Sequence, residues 1–334
     1  MRSSTISLTR FTEHPAALLA ALLFGAVCVV SFAPLNYHFV AFFALTGLFC
    51  LWLHATSRKR AAWLGFAFGL GLFGTGVSWV YVTLNVYGGM PLPLAALATF
   101  LYCALLASFY ALAGWLQARW HLSATLRLLF VMPALLALGD WSRTWVLTGF
   151  PWLALGYSQV PASPLSGFAP VLGVFGVSWL LALAAGALTL MLHYRQQYRA
   201  VLFCFALLVA IFFTGGIAKQ IDWSQPLGEP IKVSLLQGNV PQEMKFNEQR
   251  LRATLKTYLD LTEKSSARLI VMPETAIPLM QDQIPPDYLG LLANAAKKNN
   301  GDVLVGLFGN KRDNGKLEYF SSVMSFGSAP TQSY

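Results

Sequence analysis

AAWLGFAFGLGLFGTGVSWVYVTL, residues 61–84, runs for 24 residues without an Asp, Glu, Lys or Arg. A helix that crosses a bilayer needs about 20 predominantly apolar residues, so this stretch is long enough to span. Inside it, GLGLFG (Gly69–Gly74) fits the G-x-G-x-x-G spacing of a dinucleotide-binding turn. That reading requires a strand before the glycines and a phosphate-binding helix after them, and neither fits the middle of a bilayer. The match is read as accidental. Gly65 and Gly69, four residues apart, instead form a small-residue surface that lets another helix approach closely.

The rest of the chain extends this reading. Of 334 residues, 56% are hydrophobic and only 11% charged, and mean hydropathy is +0.56. A polytopic membrane protein follows from that balance. Apolar runs fall near residues 16–33, 39–53, 61–84, 92–116, 128–138, 171–192 and 200–217, which predicts seven spans, the second and fifth short. Runs one, three, four, six and seven lack the mid-membrane ionisable groups that a transporter uses.

The formal net charge of +9 raises the question of nucleic acid. The basic residues are scattered or lie in short loops, with no basic, aromatic-interleaved patch, so no nucleic-acid partner is expected and the lipid bilayer is. Arg2 and Arg10, Arg58 to Arg60, Arg119 with Arg127, and Arg195 with Arg199 occupy alternate loops, whereas the others carry only Arg143. The positive-inside rule then puts the N-terminus in the cytoplasm and residues after 217 on the far side. The first run could be read as a signal peptide, but six further spans favour an uncleaved anchor.

Cys28, Cys50, Cys103 and Cys204 each sit in an apolar run without metal-ligand spacing, so they read as packing residues, and neither a metal nor a cofactor is expected. The loop between runs five and six, DWSRTWVLTGFPWLALGYSQ (140–159), carries Trp141, Trp145, Phe150, Trp152 and Tyr157. Such residues form an interfacial belt, or, on a functional reading, contact a lipid substrate. Asp140 and Arg143, three apart, are spaced to pair.

From Pro230 the composition changes to that of a soluble α/β domain, giving a transmembrane domain over 1–218 and an outer domain over 230–334. IKVSLLQGNV, RLIVM, DVLVGLFG and LEYFSSVMSF read as strands and KRDNGK as a turn. NEQRLRATLKTYLDLTEKSS and DYLGLLANAAKKNNG read as helices. Within VMPETAIPL (271–279), Glu274 follows the C-terminal end of a central strand, the usual site address in open α/β sheets, between Pro273 and Pro278. It is either a solvated loop glutamate or a general base.

QGNVPQ (237–242), KFNE (245–248) and MPETAIP (272–278) resemble the outer domain of the apolipoprotein N-acyltransferases, membrane members of the nitrilase-like carbon-nitrogen hydrolases. FGTGVSWVYV, YGGMP and WVLTGFPWLALGYSQ carry the same resemblance in the membrane half. It implies an α-helical membrane bundle of about seven spans plus an α/β nitrilase-like sandwich, in the bacterial inner membrane with the catalytic domain periplasmic. It also implies acyl transfer from a phospholipid, usually phosphatidylethanolamine, to the N-terminal amine of a diacylglyceryl-cysteine lipoprotein. In that chemistry a Glu-Lys-Cys triad works through a thioester: a thiolate attacks the lipid ester, a carboxylate takes the thiol proton, and an ammonium stabilises the oxyanion. Glu274 matches the family's glutamate, and Phe246, Phe150, Trp152 and Tyr157 become substrate-binding candidates.

Some of the pattern is not met. The family's lysine lies just past the strand that ends here near Phe326, and its cysteine further on, whereas this chain stops at Tyr334. Lys297, Lys298, Lys311 and Lys316 read as solvated helix-end or turn charges. The resemblance thus implies an N-terminal part with an incomplete sandwich, inactive as it stands; the alternative is a non-catalytic lipid- or lipoprotein-binding fragment or one half of a split enzyme. Phe246 stands where many relatives have Trp, and Ser321 where many have Asn, which puts a local hydrogen bond in doubt.

Overall fold

The computed structural model describes residues 9–120, 122–241, 245, 248–313 and 316–334. The chain divides into two compact units, Met1–Ser224 and Gln225–Tyr334.

The first unit is helical. Its elements are α1 (Pro15–Cys28), α2 (Phe39–His54), α3 (Arg58–Gly76), α4 (Leu92–Gln117), α5 (Ala124–Ser142), α6 (Ala169–His193) and α7 (Tyr198–Ala218). By length and composition α4, α5, α6 with the turn before it, and α7 can each cross a membrane. A fifth span results if α3 and the following Trp79–Tyr87 segment, bent by 51°, count as one. The protein is thus a membrane protein with transmembrane helices, while α1 and α2 are shorter apolar helices. Exposed Leu202, Phe203, Phe205, Val209 and Phe213 on α7 suit contact with lipid rather than water.

The Gly69–Gly74 match lies in the interior of α3, with no strand before it. Its glycines are packing devices. A Cβ on Gly65 would lie 2.3 Å from the main-chain oxygen of Tyr110, and one on Gly69 2.7 Å from Ala107 Cα, so α3 and α4 meet backbone to backbone. Without strong hydrophobic drive inside lipid, such close van der Waals packing is what holds helices together. The four cysteines are free, with Cys28, Cys103 and Cys204 buried.

The second unit carries a five-stranded sheet, β1 (Val233–Leu235), β2 (Leu269–Val271), β3 (Asp302–Asp313), β4 (Lys316–Gly327) and β5 (Gln332–Ser333), in spatial order β1-β2-β3-β4-β5. The first three strands run parallel and the last two pairings are antiparallel. Helices α8 (Glu248–Lys264) and α9 (Pro286–Lys297) supply the crossovers, as alternation of strand and helix patterns requires. Val303, Val305 and Leu307 alternate inward along β3 and pack with Ile270, Tyr258 and Leu292. β4 leaves Tyr319, Phe320 and Val323 exposed.

Two details differ from the sequence reading. KRDNGK is not wholly a turn: β3 and β4 stay paired out to Asp313 opposite Lys316, which places Lys311 and Lys316 on strands. β1 is only three residues long. Gly238 and Asn239 follow it closely, and Asn239, at φ +49°, has left the extended conformation a strand needs.

Candidate functional site

β2 ends at Val271, although the next amide continues the ladder, Met272 N–H donating to Leu304 O at 2.9 Å. Pro273 has no N–H to donate further, and the chain turns at Glu274 and Thr275, with Ala276 N–H closing back on Pro273 O at 3.2 Å. Thr275 sits at φ +50°. The turn is laid directly on β3: Ile277 N–H donates to Gly306 O at 3.2 Å, and a Cβ on Gly306 would stand 2.4 Å from Pro273 O and 3.0 Å from Glu274 Cα. A glycine in the middle of β3 is thus what admits the Glu274 turn.

Glu274 itself is exposed and lines a cavity of about 410 Å³ together with Gln237, Asn239, Lys245 and Tyr258. Two side chains approach it. Ser321 Oγ on β4 donates to Glu274 Oε1 at 3.4 Å, so the hydroxyl at this position does reach the carboxylate. Lys245 Nζ donates to the main-chain oxygen of Glu274 at 3.2 Å. The loop wall is set by Tyr258, whose ring would be struck by any Cβ on Gly238. Burial pushes the Tyr258 phenol above its ordinary range, with the Gly238 backbone hydrogen bond offsetting part of the shift. The arrangement presents one carboxylate at a strand end, open to a ligand and held by a rigid turn. The sequence marked Lys245 only as part of the KFNE motif and Ser321 only as a departure from the family pattern; that both reach Glu274 is decided by the fold.

Phe246 lies outside the described residues. The remaining candidates belong to the membrane unit. Phe150 and Trp152 stack at 6.2 Å and join Trp79 and Tyr102 in one aromatic cluster. Tyr157 lies apart in the Leu155–Gln159 turn, with its side chain exposed. The loop is anchored from below by polar groups: Arg143 Nη1 donates to Trp152 O at 2.8 Å, and Asp140 Oδ2 accepts from Leu155 N–H and from Ser178 Oγ, each at 2.8 Å. Ser178, Trp79 and Tyr102 are far away in sequence, so only the tertiary structure brings them here. Lys297 and Lys298 are exposed at the end of α9.

Residues 24–187, from the middle of α1 to the later turns of α6, match the family model described as the apolipoprotein N-acyltransferase N-terminal domain. Residues 24–187 are an apolipoprotein N-acyltransferase N-terminal domain. It is 46% identical over 318 residues to the apolipoprotein N-acyltransferase of Nitrosomonas europaea, covering 95% of this chain and 63% of that protein. It is 41% identical over 318 residues to that of Methylococcus capsulatus, covering 94% and 62%, and 37% identical over 308 residues to that of Chromobacterium violaceum, covering 92% and 58%. The chain thus spans about three fifths of the length of these apolipoprotein N-acyltransferases. A match of 318 residues exceeds the first unit and reaches into the second.

Proposed function

We propose that these residues serve an apolipoprotein N-acyltransferase that moves an acyl chain from a phospholipid to the N-terminal amine of diacylglyceryl-cysteine lipoproteins. The observation that carries the site assignment is Glu274 on the turn after β2, open to the cavity and fixed against Gly306. In this reading Glu274 is the general base that deprotonates the attacking thiol. The thiolate forms a thioester with the acyl group and releases a lysophospholipid; the lipoprotein amine then takes the acyl chain and frees the thiol. Residues 225–334 include no cysteine, so in this reading the thiol is contributed from outside them, and the resemblance puts the oxyanion-stabilising lysine just past the strand that ends near Phe326.

The family relationship, the apolar helices and the alternation of basic loops support seven spans in a bacterial inner membrane, with the N-terminus cytoplasmic and residues after Ala218 periplasmic. The Phe150–Trp152 stack supports a role for the aromatic loop in seating the phospholipid donor. A second reading rests on the missing thiol: a non-catalytic lipid- or lipoprotein-binding chain, or one half of a split enzyme.

The test is Glu274→Gln in an enzyme that carries these residues together with the family's cysteine and lysine. The substitution keeps the shape and removes the basicity, and thioester formation should fall by roughly 100-fold to 10,000-fold while phospholipid binding persists. Unchanged acylation would reduce Glu274 to a loop carboxylate. The 334 residues alone should take no acyl label; labelling would point to one of the four membrane-unit cysteines and sink the triad assignment. Reporter fusions after Arg60 and after Gln237 should give opposite compartment signals, and equal signals would refute the topology.

A further inference from the structure

The membrane unit holds a second cavity, of about 850 Å³, where α3 begins and α4 ends; its wall includes Ser57, Arg58, Lys59, Trp115, Trp120 and Arg127. Helix α3 opens with Arg58, Lys59 and Arg60 and has no acidic residue in its first turn. The N-terminus of a helix already carries positive partial charge from its unpaired N–H groups, so three cations there oppose the dipole. An anion at that spot would relieve the repulsion.

The cations differ in how far the protein engages them. Arg60 is used by the fold, donating to Thr12 O and His14 O. Arg127 is fixed by Gln117 Oε1 and Trp52 O, which are neutral acceptors. Arg58 and Lys59 are exposed, and among the described residues the salt bridge found is Asp140 with Arg143. A carboxylate does reach the rim, since Thr56 donates its hydroxyl to Glu13. Glu13, Arg58, Lys59 and Arg127 together still leave the site at about +2 by formal charge.

Two tryptophans line the cavity. Trp115 is near the end of α4 and carries the Arg119 guanidinium over its ring at 5.5 Å. Trp120 is half exposed. Tryptophan concentrates at the headgroup level of a bilayer, and basic pockets at the ends of transmembrane helices take anionic lipid headgroups. The cavity lies at the start of α3 and the end of α4, and the ends of membrane-crossing helices are where a bilayer carries its lipid phosphates. We propose that it binds the phosphate of an anionic phospholipid through Arg58, Lys59 and Arg127, as a site separate from the Glu274 cavity.

The test is native mass spectrometry on the purified 334-residue chain, titrated with phosphatidylglycerol, with phosphatidylethanolamine and with inorganic phosphate. The wild-type protein should retain phosphatidylglycerol over phosphatidylethanolamine. R58Q/K59Q should weaken that retention by about fivefold for each charge removed, while Arg58→Lys should preserve it. R195Q/R199Q, which removes two exposed cations elsewhere, should leave the preference intact. The proposal is overturned by equal retention of the two lipids, by an unchanged preference in R58Q/K59Q, or by an equal loss in R195Q/R199Q. It is also overturned if inorganic phosphate binds and phosphatidylglycerol does not.

Discussion

Arg143 Nη2 and Asp140 Oδ1 meet at 2.6 Å, with side chains only 1% and 2% exposed. The pair is not an isolated ion bridge. Arg143 also lies over the Phe73 ring at 5.0 Å, and the remaining Asp140 oxygen ties the 155-region backbone and Ser178 on α6. Taking both charges out of water is costly, and the ion pair, the ring and these hydrogen bonds offset that cost even though the buried Arg143 Nε has no hydrogen-bond partner among the described residues.

Removing one member should therefore hurt more than removing both. Asp140→Ala is expected to lower stability by about 3–5 kcal/mol, because an unpaired guanidinium stays buried. Asp140→Leu combined with Arg143→Met should recover part of the loss. Thermal unfolding in detergent checks both, and a double variant no better than Asp140→Ala would show that the pair does not act as a unit.

The same hub positions the aromatic loop, since Arg143 holds the Trp152 carbonyl while its side chain is exposed. Trp152→Ala in an active enzyme should raise the phospholipid KM several-fold with little change in melting temperature. An unchanged KM would return the loop to a plain interfacial role.

Glycines of α3 separate packing from sequence pattern. Gly69→Ala puts a methyl group 2.7 Å from Ala107 Cα, whereas a Cβ on Gly74 meets nothing within 4 Å. Gly69→Ala should cost about 1–3 kcal/mol through overpacking, while Gly74→Ala should be neutral or slightly stabilising, since alanine favours the helix. Equal melting temperatures for the two variants would disprove tight α3–α4 packing.

The outer unit should weaken in alkali. Burial holds the phenols of Tyr258 and Tyr288 above the ordinary value of 10.0, and a charge on Tyr258 raises that of Tyr288 further. Because the folded state keeps these protons longer than the unfolded chain, their contribution is complete below pH 10 and is lost as pH rises from there through the raised values. Tyr288 also loses its donated bond to Leu255 O when it ionises. Hydrogen exchange of residues 248–313 should accelerate above pH 10, and Tyr288→Phe should flatten that dependence; an identical pH profile in the variant would refute the assignment.

Much of this protein was legible in one dimension. Hydropathy and loop charge act locally, so runs such as Leu92–Leu116 declare helices long and apolar enough to span a membrane without reference to their neighbours, and the small-residue spacing of Gly65 and Gly69 already marked a packing face. The position of Glu274 after an apolar strand bounded by Pro273 was equally local. What depends on pairs distant in sequence was not. The bend after Gly76, the Ser178 tie to Asp140, the Ser321 and Lys245 contacts around Glu274, and the extension of β3 and β4 through KRD each arise when separate segments pack and satisfy one another's polar groups. Composition and periodicity report the cost of leaving a residue in water or lipid; which partner meets that cost is decided only when the chain folds back on itself.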